Sequence, residues 1–128
     1  MDRPEPQAVL HETDLLRQIG MFSRDNIKIL AHTAPLFEIL RSAAKTENEI
    51  NALLRHMLTE RMQNMITFVE HVRANTSFRP GLEIPAAAEL VWTLTSPEVY
   101  QLLTRDRSYT QEQYADWLQS SLTRLLLP

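Results

Sequence analysis

Two glycines, Gly20 and Gly81, are all that a chain of 128 residues contains. Strand-rich domains consume glycine, because the tight turns joining their strands need backbone angles with positive φ. Leu, Ala, Glu, Gln, Arg and Met dominate instead, and all of them favour helix. The expected fold is therefore all-α: a single-domain helical bundle of about five to six helices. The length suits one domain with a real core. A share of 44% apolar and 23% charged residues argues against wholesale disorder.

Other features exclude whole classes of function. Without cysteine the chain has no disulfide framework, thiolate zinc site, iron–sulfur cluster or Cys nucleophile. Thirteen basic and sixteen acidic side chains give a net charge of −3. That balance argues against direct nucleic-acid binding, which draws on a positive surface that releases counterions from phosphates. No apolar run approaches the roughly 20 residues that span a bilayer. The start, Met1-Asp2-Arg3-Pro4-Glu5-Pro6-Gln7, lacks the cationic-then-apolar order of a secretion signal. The expected compartment is the cytoplasm, with no membrane partner.

Along the chain, Pro4 and Pro6 are expected to keep the first residues extended. Leu15, Leu16, Ile19 and Phe22 recur at helical spacing and predict a short helix ending near Gly20. Ser23 is placed to N-cap a next helix carrying Ile27, Leu30 and Ala31. Pro35 is expected to interrupt it, because proline disfavours the α region at Ala34 and prefers a first turn. A fresh helix then carries Leu36, Phe37, Ile39, Leu40, Ala43 and Ala44.

Thr46-Glu47-Asn48-Glu49 has the form of a capping box. Beyond it, apolar residues from Ile50 to Val72 keep a 3.6-residue period, predicting a long helix from about Thr46 to Arg73 as the spine of the domain. After the loop 75–81, Pro85 reads as the first residue of a helix running through Trp92 and Leu94. Pro97 is expected to kink or interrupt it, with Ser96 capping a continuation through Val99, Leu102 and Leu103. Thr110-Gln111-Glu112-Gln113 is a second capping box and opens a last helix through Leu126.

Catalytic grammar is thin. His56 and Glu60 stand four apart, but there is no HExxH, no Glu-x-x-His pair, no Gly-rich phosphate loop and no nucleophile elbow. The reading is of no enzyme, no catalytic residue, no metal ligand and no cofactor.

Arg61 departs from pattern. On a helical wheel it falls near the middle of the long helix's apolar stripe, beside Met57, Leu58 and Met65. A charge on a buried face needs a partner or a wet cavity. Either its stem packs while its head pairs with a glutamate such as Glu38 or Glu89, or it faces a pocket and meets an anionic or polar ligand. Met57, Met62 and Met65 are compatible with core filling and with an adaptable pocket wall. At the C-terminal end, the small residues Ala86, Ala87, Ala88 and Ser121 and the aromatic residues Trp92, Tyr100, Tyr114 and Trp117 fit a helix-pair dimer face and a monomer core equally well.

The stretch Leu90-Val91-Trp92-Thr93-Leu94-Thr95-Ser96-Pro97-Glu98-Val99-Tyr100-Gln101-Leu102-Leu103 resembles the C-terminal domains of TetR/AcrR-family transcriptional regulators. The resemblance continues through Tyr109–Leu118, an aromatic-led entry to the final helix. Upstream it takes in Ala34–Ala44 and the loop Phe78-Arg79-Pro80-Gly81-Leu82, so it covers roughly Ser23 to Leu127. Residues 1–22 then form an N-terminal segment with a short helix, and residues 23–128 the TetR-like domain.

The resemblance implies an effector-sensing and dimerisation domain without catalysis, binding a small apolar or anionic molecule. About 22 residues before Ser23 cannot hold a three-helix DNA-reading head, so contact with DNA is expected only through a helix-turn-helix that is not among these residues. The expected effector pocket lies between the short helices and the long one, lined by Phe22, His32, Phe37, Met57, Arg61, Met62 and Met65. A two-fold homodimer is expected through the last two helices, using Ala87, Trp92, Val99, Tyr114, Trp117, Leu118, Ser121, Leu122 and Leu125. The alternative is a stand-alone protein-interaction module that forms homo- or heterodimers and binds no small molecule.

Overall fold

The computed structural model describes residues 4–128, with the backbone alone described at Pro4, Glu5 and Pro6. Among them the chain is helical throughout, with no strand. In order come α1 (Pro4–His11), α2 (Leu15–Ala44), α3 (Asn48–Asn75), α4 (Ile84–Leu94), α5 (Pro97–Gln101), a π-helical turn (Leu102–Asp106) and α6 (Gln111–Leu126). The all-α, single-bundle expectation holds. None of these helices is long and apolar enough to cross a membrane.

The largest difference from expectation is α2. Two helices separated at Pro35 were expected; one 30-residue helix runs from Leu15 to Ala44 with Pro35 inside it. It also passes straight through the expected boundary at Ser23. The reason is phase. Buried positions Ile19, Phe22, Asn26, Leu30, Ala34 and Phe37 follow one another at three- and four-residue spacing, so the packed stripe continues unbroken across the proline. An interior proline costs about 3 kcal/mol. Burying a side chain such as Phe37 returns roughly 1.5–3 kcal/mol, and other contacts on this stripe add to it. Ser23 is no cap: its hydroxyl donates to the Ile19 carbonyl at 2.9 Å, the back-bond of a serine inside a helix. The true cap is Asp14, whose carboxylate accepts from the Arg17 N–H.

Pro4 and Pro6 are likewise helical rather than extended, because the first turn of a helix has no use for the N–H that proline lacks. The capping box expected at Thr46 does not form. Thr46 instead closes the α2 end, its hydroxyl donating to the Ala43 carbonyl, and α3 begins after Glu47 without a side-chain cap. The two later caps form as expected. Ser96 Oγ accepts from Val99 N–H at 3.1 Å, and Thr110 and Gln113 make a reciprocal box at 3.1 and 2.8 Å.

The core lies where α2 meets α3 and α6, with α4 closing α3. Phe22 of α2 stacks on Phe68 of α3 with ring centres 3.7 Å apart. Around them Ile19, Val69, Val72, Val91, Leu118, Leu122 and Leu126 are sealed from solvent. A polar clamp ties α1 to this core. The buried Gln18 side chain donates to the Val9 carbonyl at 3.1 Å and accepts from Asn75 Nδ2 at 2.9 Å, while Asn75 also donates to the Glu12 carbonyl. Satisfied in this way, a buried amide fixes the register of three helices rather than destabilising them.

Candidate ligand cleft

A cleft of about 210 Å³ lies between α2 and α3, at the corner where α4 gives way to α5. Its lining includes the buried side chains Leu30, Phe37, Met65, Thr95 and Pro97. Nearer solvent it is lined by Ile29, Thr33, Met57, Glu60 and Asn64. Thr95 and Pro97 flank the Ser96 cap, so the corner where α4 gives way to α5 forms part of the wall. Phe37 and Pro97 also border a second cleft of about 260 Å³ between the last turns of α2 and α5. That one is bridged by ion pairs: Arg41 to Glu98 at 3.0 Å, and Glu38 to Arg105 at 3.1 Å. Arg105 holds the Glu38 carboxyl below the usual carboxylate range, chiefly by hydrogen bonding.

Arg61 of α3 is the polar centre of the first cleft. Its Nη2 donates to the Trp92 carbonyl at 2.6 Å, and Nη1 donates to the Thr95 carbonyl at 3.3 Å and the Thr95 hydroxyl at 3.1 Å. The guanidinium also lies 4.7 Å from the centre of the Trp92 ring. The head therefore caps the C-terminal end of α4, where carbonyls are left without helical donors and the helix dipole is negative. Neither expected glutamate pairs with it. Glu38 is engaged by Arg105 and Gln101, and the bonds of Arg61 go to Trp92 and Thr95 rather than to Glu89. Burial pushes the Arg61 pKa down to about 10, with Glu98 and Tyr114 acting weakly in the opposite direction.

Of the seven residues expected to line a pocket, the cleft brings together Phe37, Met57, Arg61 and Met65. The other three are elsewhere. Phe22 is spent in the core on Phe68, and His32 is exposed on α2. Met62 turns to a separate open groove with Leu58 and Trp92. Sequence reasoning missed Leu30, Thr95 and Pro97. Leu30 was legible as a stripe residue, but nothing local marks Thr95 as a neighbour of Arg61, 34 residues upstream of it, or Pro97 as part of the same wall.

The expected dimer residues also divide. Ala87, Tyr114, Leu118 and Leu122 are wholly buried within the single chain, so they cannot serve as its interface. The stripe Tyr114–Leu118–Leu122–Leu126 faces α2 and α4, and the Tyr114 hydroxyl donates to the Leu94 carbonyl at 2.9 Å. Trp92 is covered in part by Arg61. Val99, Trp117, Ser121 and Leu125 stay half-buried, and on α6 the last three are spaced by four, along one side.

Among the described residues, no group of three or more His, Asp or Glu side chains could hold a metal ion. His56 and Glu60 meet at 2.9 Å in the open on α3. Exposed apolar side chains stand apart from the cleft lining: Leu36 and Ile39 on α2, Leu53 on α3 and Leu102 on the π-helical turn. No protein-family model, curated protein or solved structure matches the chain.

Proposed function

We propose that this chain is the effector-sensing and dimerisation domain of a TetR-like transcriptional regulator, without catalysis. The observation that carries the reading is the α2–α3 cleft: a mostly apolar lining with one convergent cation, which is the usual form of a small-molecule site. At about 210 Å³ it is smaller than the roughly 300–1,000 Å³ of drug-sized sites, so the effector is compact. Dimerisation uses the side of α6 that the core leaves free, with Trp117, Ser121 and Leu125, and Val99 of α5. DNA is read by a helix-turn-helix outside these residues, and ligand-driven movement of α3 against α4 alters the geometry passed to it.

The alternative, an interaction module that takes no small molecule, is favoured by the exposed Leu36, Ile39 and Leu53. A thermal-shift screen of small apolar and anionic compounds separates the two readings. A ligand that binds only the native state raises the melting temperature as RT ln(1 + [L]/Kd). A rise that saturates with concentration, and that is lost when Met57→Trp fills the cleft, supports the sensor. A library that gives no shift at all supports the interaction module.

A further inference from the structure

We infer that the α2–α3 cleft is selective for a compact monocarboxylate, whose head is clasped by Arg61 and whose small ring or short chain lies on Leu30, Phe37, Met57 and Met65. The inference rests on the reading of this cleft as a ligand site and adds the chemical class of what it takes.

The first ground is charge. Arg61 is largely withdrawn from water, yet among the described residues no carboxylate makes an ion pair with it; its partners are two neutral carbonyls and a hydroxyl. A desolvated cation that is hydrogen-bonded only to neutral groups, with Glu98 acting on it without forming an ion pair, gains more from an anion in direct contact than an exposed, hydrated one does. Glu60, the nearest acid in the lining, directs its carboxylate to His56 at 2.9 Å and is mostly exposed. The remaining polar lining, Asn26, Thr33, Asn64 and Thr95, is neutral.

Donor geometry is the second ground. A guanidinium carries five N–H groups; in the protein Nη1 donates to the carbonyl and hydroxyl of Thr95, and Nη2 to the Trp92 carbonyl. Arg61 Nε is buried and makes no hydrogen bond in the protein. Nε and Nη2 lie along one edge of the planar guanidinium, the edge that can hold a carboxylate bidentately. Because Nε is covered, the clasp requires the lining to shift, which the flexible Met57 and Met65 side chains permit. One cation matches one negative charge. The basic residues Arg41 and Lys45 line the other cleft, so a doubly charged phosphate would find half its charge unmet here.

Size is the third. An apolar cavity of about 150 Å³ accommodates benzene. The cleft, at about 210 Å³, has room for such a ring and one carboxylate beyond it. Benzoate is therefore a fitting probe, and benzamide, of nearly the same shape but uncharged, its control.

The test is a titration of the full chain in a Trp117→Phe background, which leaves Trp92 as the only indole and places it beside Arg61 as the reporter. Benzoate is expected to change Trp92 emission saturably and to bind at least tenfold more tightly than benzamide, with the preference abolished in Arg61→Met. Met57→Trp, read by the thermal shift because it adds an indole, is expected to abolish binding of both probes, and it keeps the test decisive should Arg61→Met fold poorly. Equal binding of benzoate and benzamide, or a benzoate preference that survives in Arg61→Met, overturns the carboxylate assignment and leaves the cleft a ligand site. Absence of binding by benzoate, benzamide and toluene alike overturns the assignment and the reading of the cleft together.

Discussion

The Arg61 guanidinium donates to the Trp92 carbonyl oxygen at 2.6 Å while lying 4.7 Å from the centre of the Trp92 ring. One side chain of α3 thus holds both the last turn of α4 and the aromatic ring that turn presents. Its net contribution to stability is small, because two large effects oppose each other. Burial that lowers the pKa to about 10 corresponds to a few kcal/mol of desolvation, at about 1.4 kcal/mol per unit. Hydrogen bonds to a charged donor return about 1.5–3 kcal/mol each at most, and less here because the Thr95 contacts are long. Arg61→Met, which keeps the volume of the stem, is expected to shift the neutral-pH stability by no more than about 1 kcal/mol in either direction. Urea denaturation of the two proteins checks this. A loss of 3 kcal/mol or more would mean that a carboxylate partner stabilises the head after all.

Arg61 and Tyr114 give the stability opposite dependences on pH. Arg61 has a folded pKa of about 10, below its unfolded value, so above about pH 10 the unfolded chain binds the extra proton and stability rises with pH until the unfolded arginine titrates too. Tyr114 is the reverse: burial raises its phenol well above the ordinary value of 10, so its contribution is whole below pH 10 and is lost as pH climbs further. Tyr114→Phe is expected to cost about 1–2 kcal/mol at pH 7, through the bond to the Leu94 carbonyl. That deficit is expected to shrink steadily above pH 10. Stability of wild type and variant followed from pH 7 to 11 decides it; a constant difference would show that the phenol titrates normally.

Pro35 leaves the Ala31 carbonyl without the N–H that position would supply, in a helix whose packing already continues through it. Its ring is exposed, so replacement creates no cavity. Pro35→Ala is expected to stabilise the chain by about 1–3 kcal/mol and to raise the melting temperature by several degrees. A fall in melting temperature would mean that the helix needs the proline's bend to reach α5.

Leu118 and Leu125 lie seven residues apart on α6 but do different work. Leu118 is sealed in the core and Leu125 is half-buried. Leu118→Glu is expected to abolish folding, since an unpaired carboxylate in that core costs several kcal/mol. Trp117→Glu combined with Leu125→Glu is expected to retain the helical circular dichroism of wild type and to sediment as a monomer where wild type sediments as a dimer. A folded, dimeric double variant would place the interface elsewhere, with Leu36, Ile39 and Leu53 the first surface to try.

What the residue pattern conveyed was governed by range. Caps at Ser96 and Thr110 close within three residues, and both were legible. The failed cap at Thr46 has the same letters, but there the α2 end competes for the threonine hydroxyl. Pro35 and Ser23 read as breaks because local preference points that way, and the unbroken stripe from Ile19 to Phe37 overrides it. On α6 the stripe was legible through Tyr114, Leu118 and Leu122, but it continues to Leu126 rather than Leu125, and a stripe does not say whether it meets its own chain or another. Arg61 stood out on its helix; its acceptors did not, because any helix end offers free carbonyls and no residue type marks them.

Whether the α2–α3 cleft is a ligand site is read residue by residue in a ¹⁵N–¹H correlation spectrum of the chain recorded while benzoate, and then benzamide, is added. Saturable shifts are expected at Leu30, Thr33, Phe37, Met57, Arg61 and Thr95, with the buried Nε–H of Arg61 moving downfield as it gains an acceptor. Shifts confined to Leu36, Ile39 and Leu53, or a spectrum unchanged at millimolar benzoate and benzamide, would contradict a ligand site in this cleft.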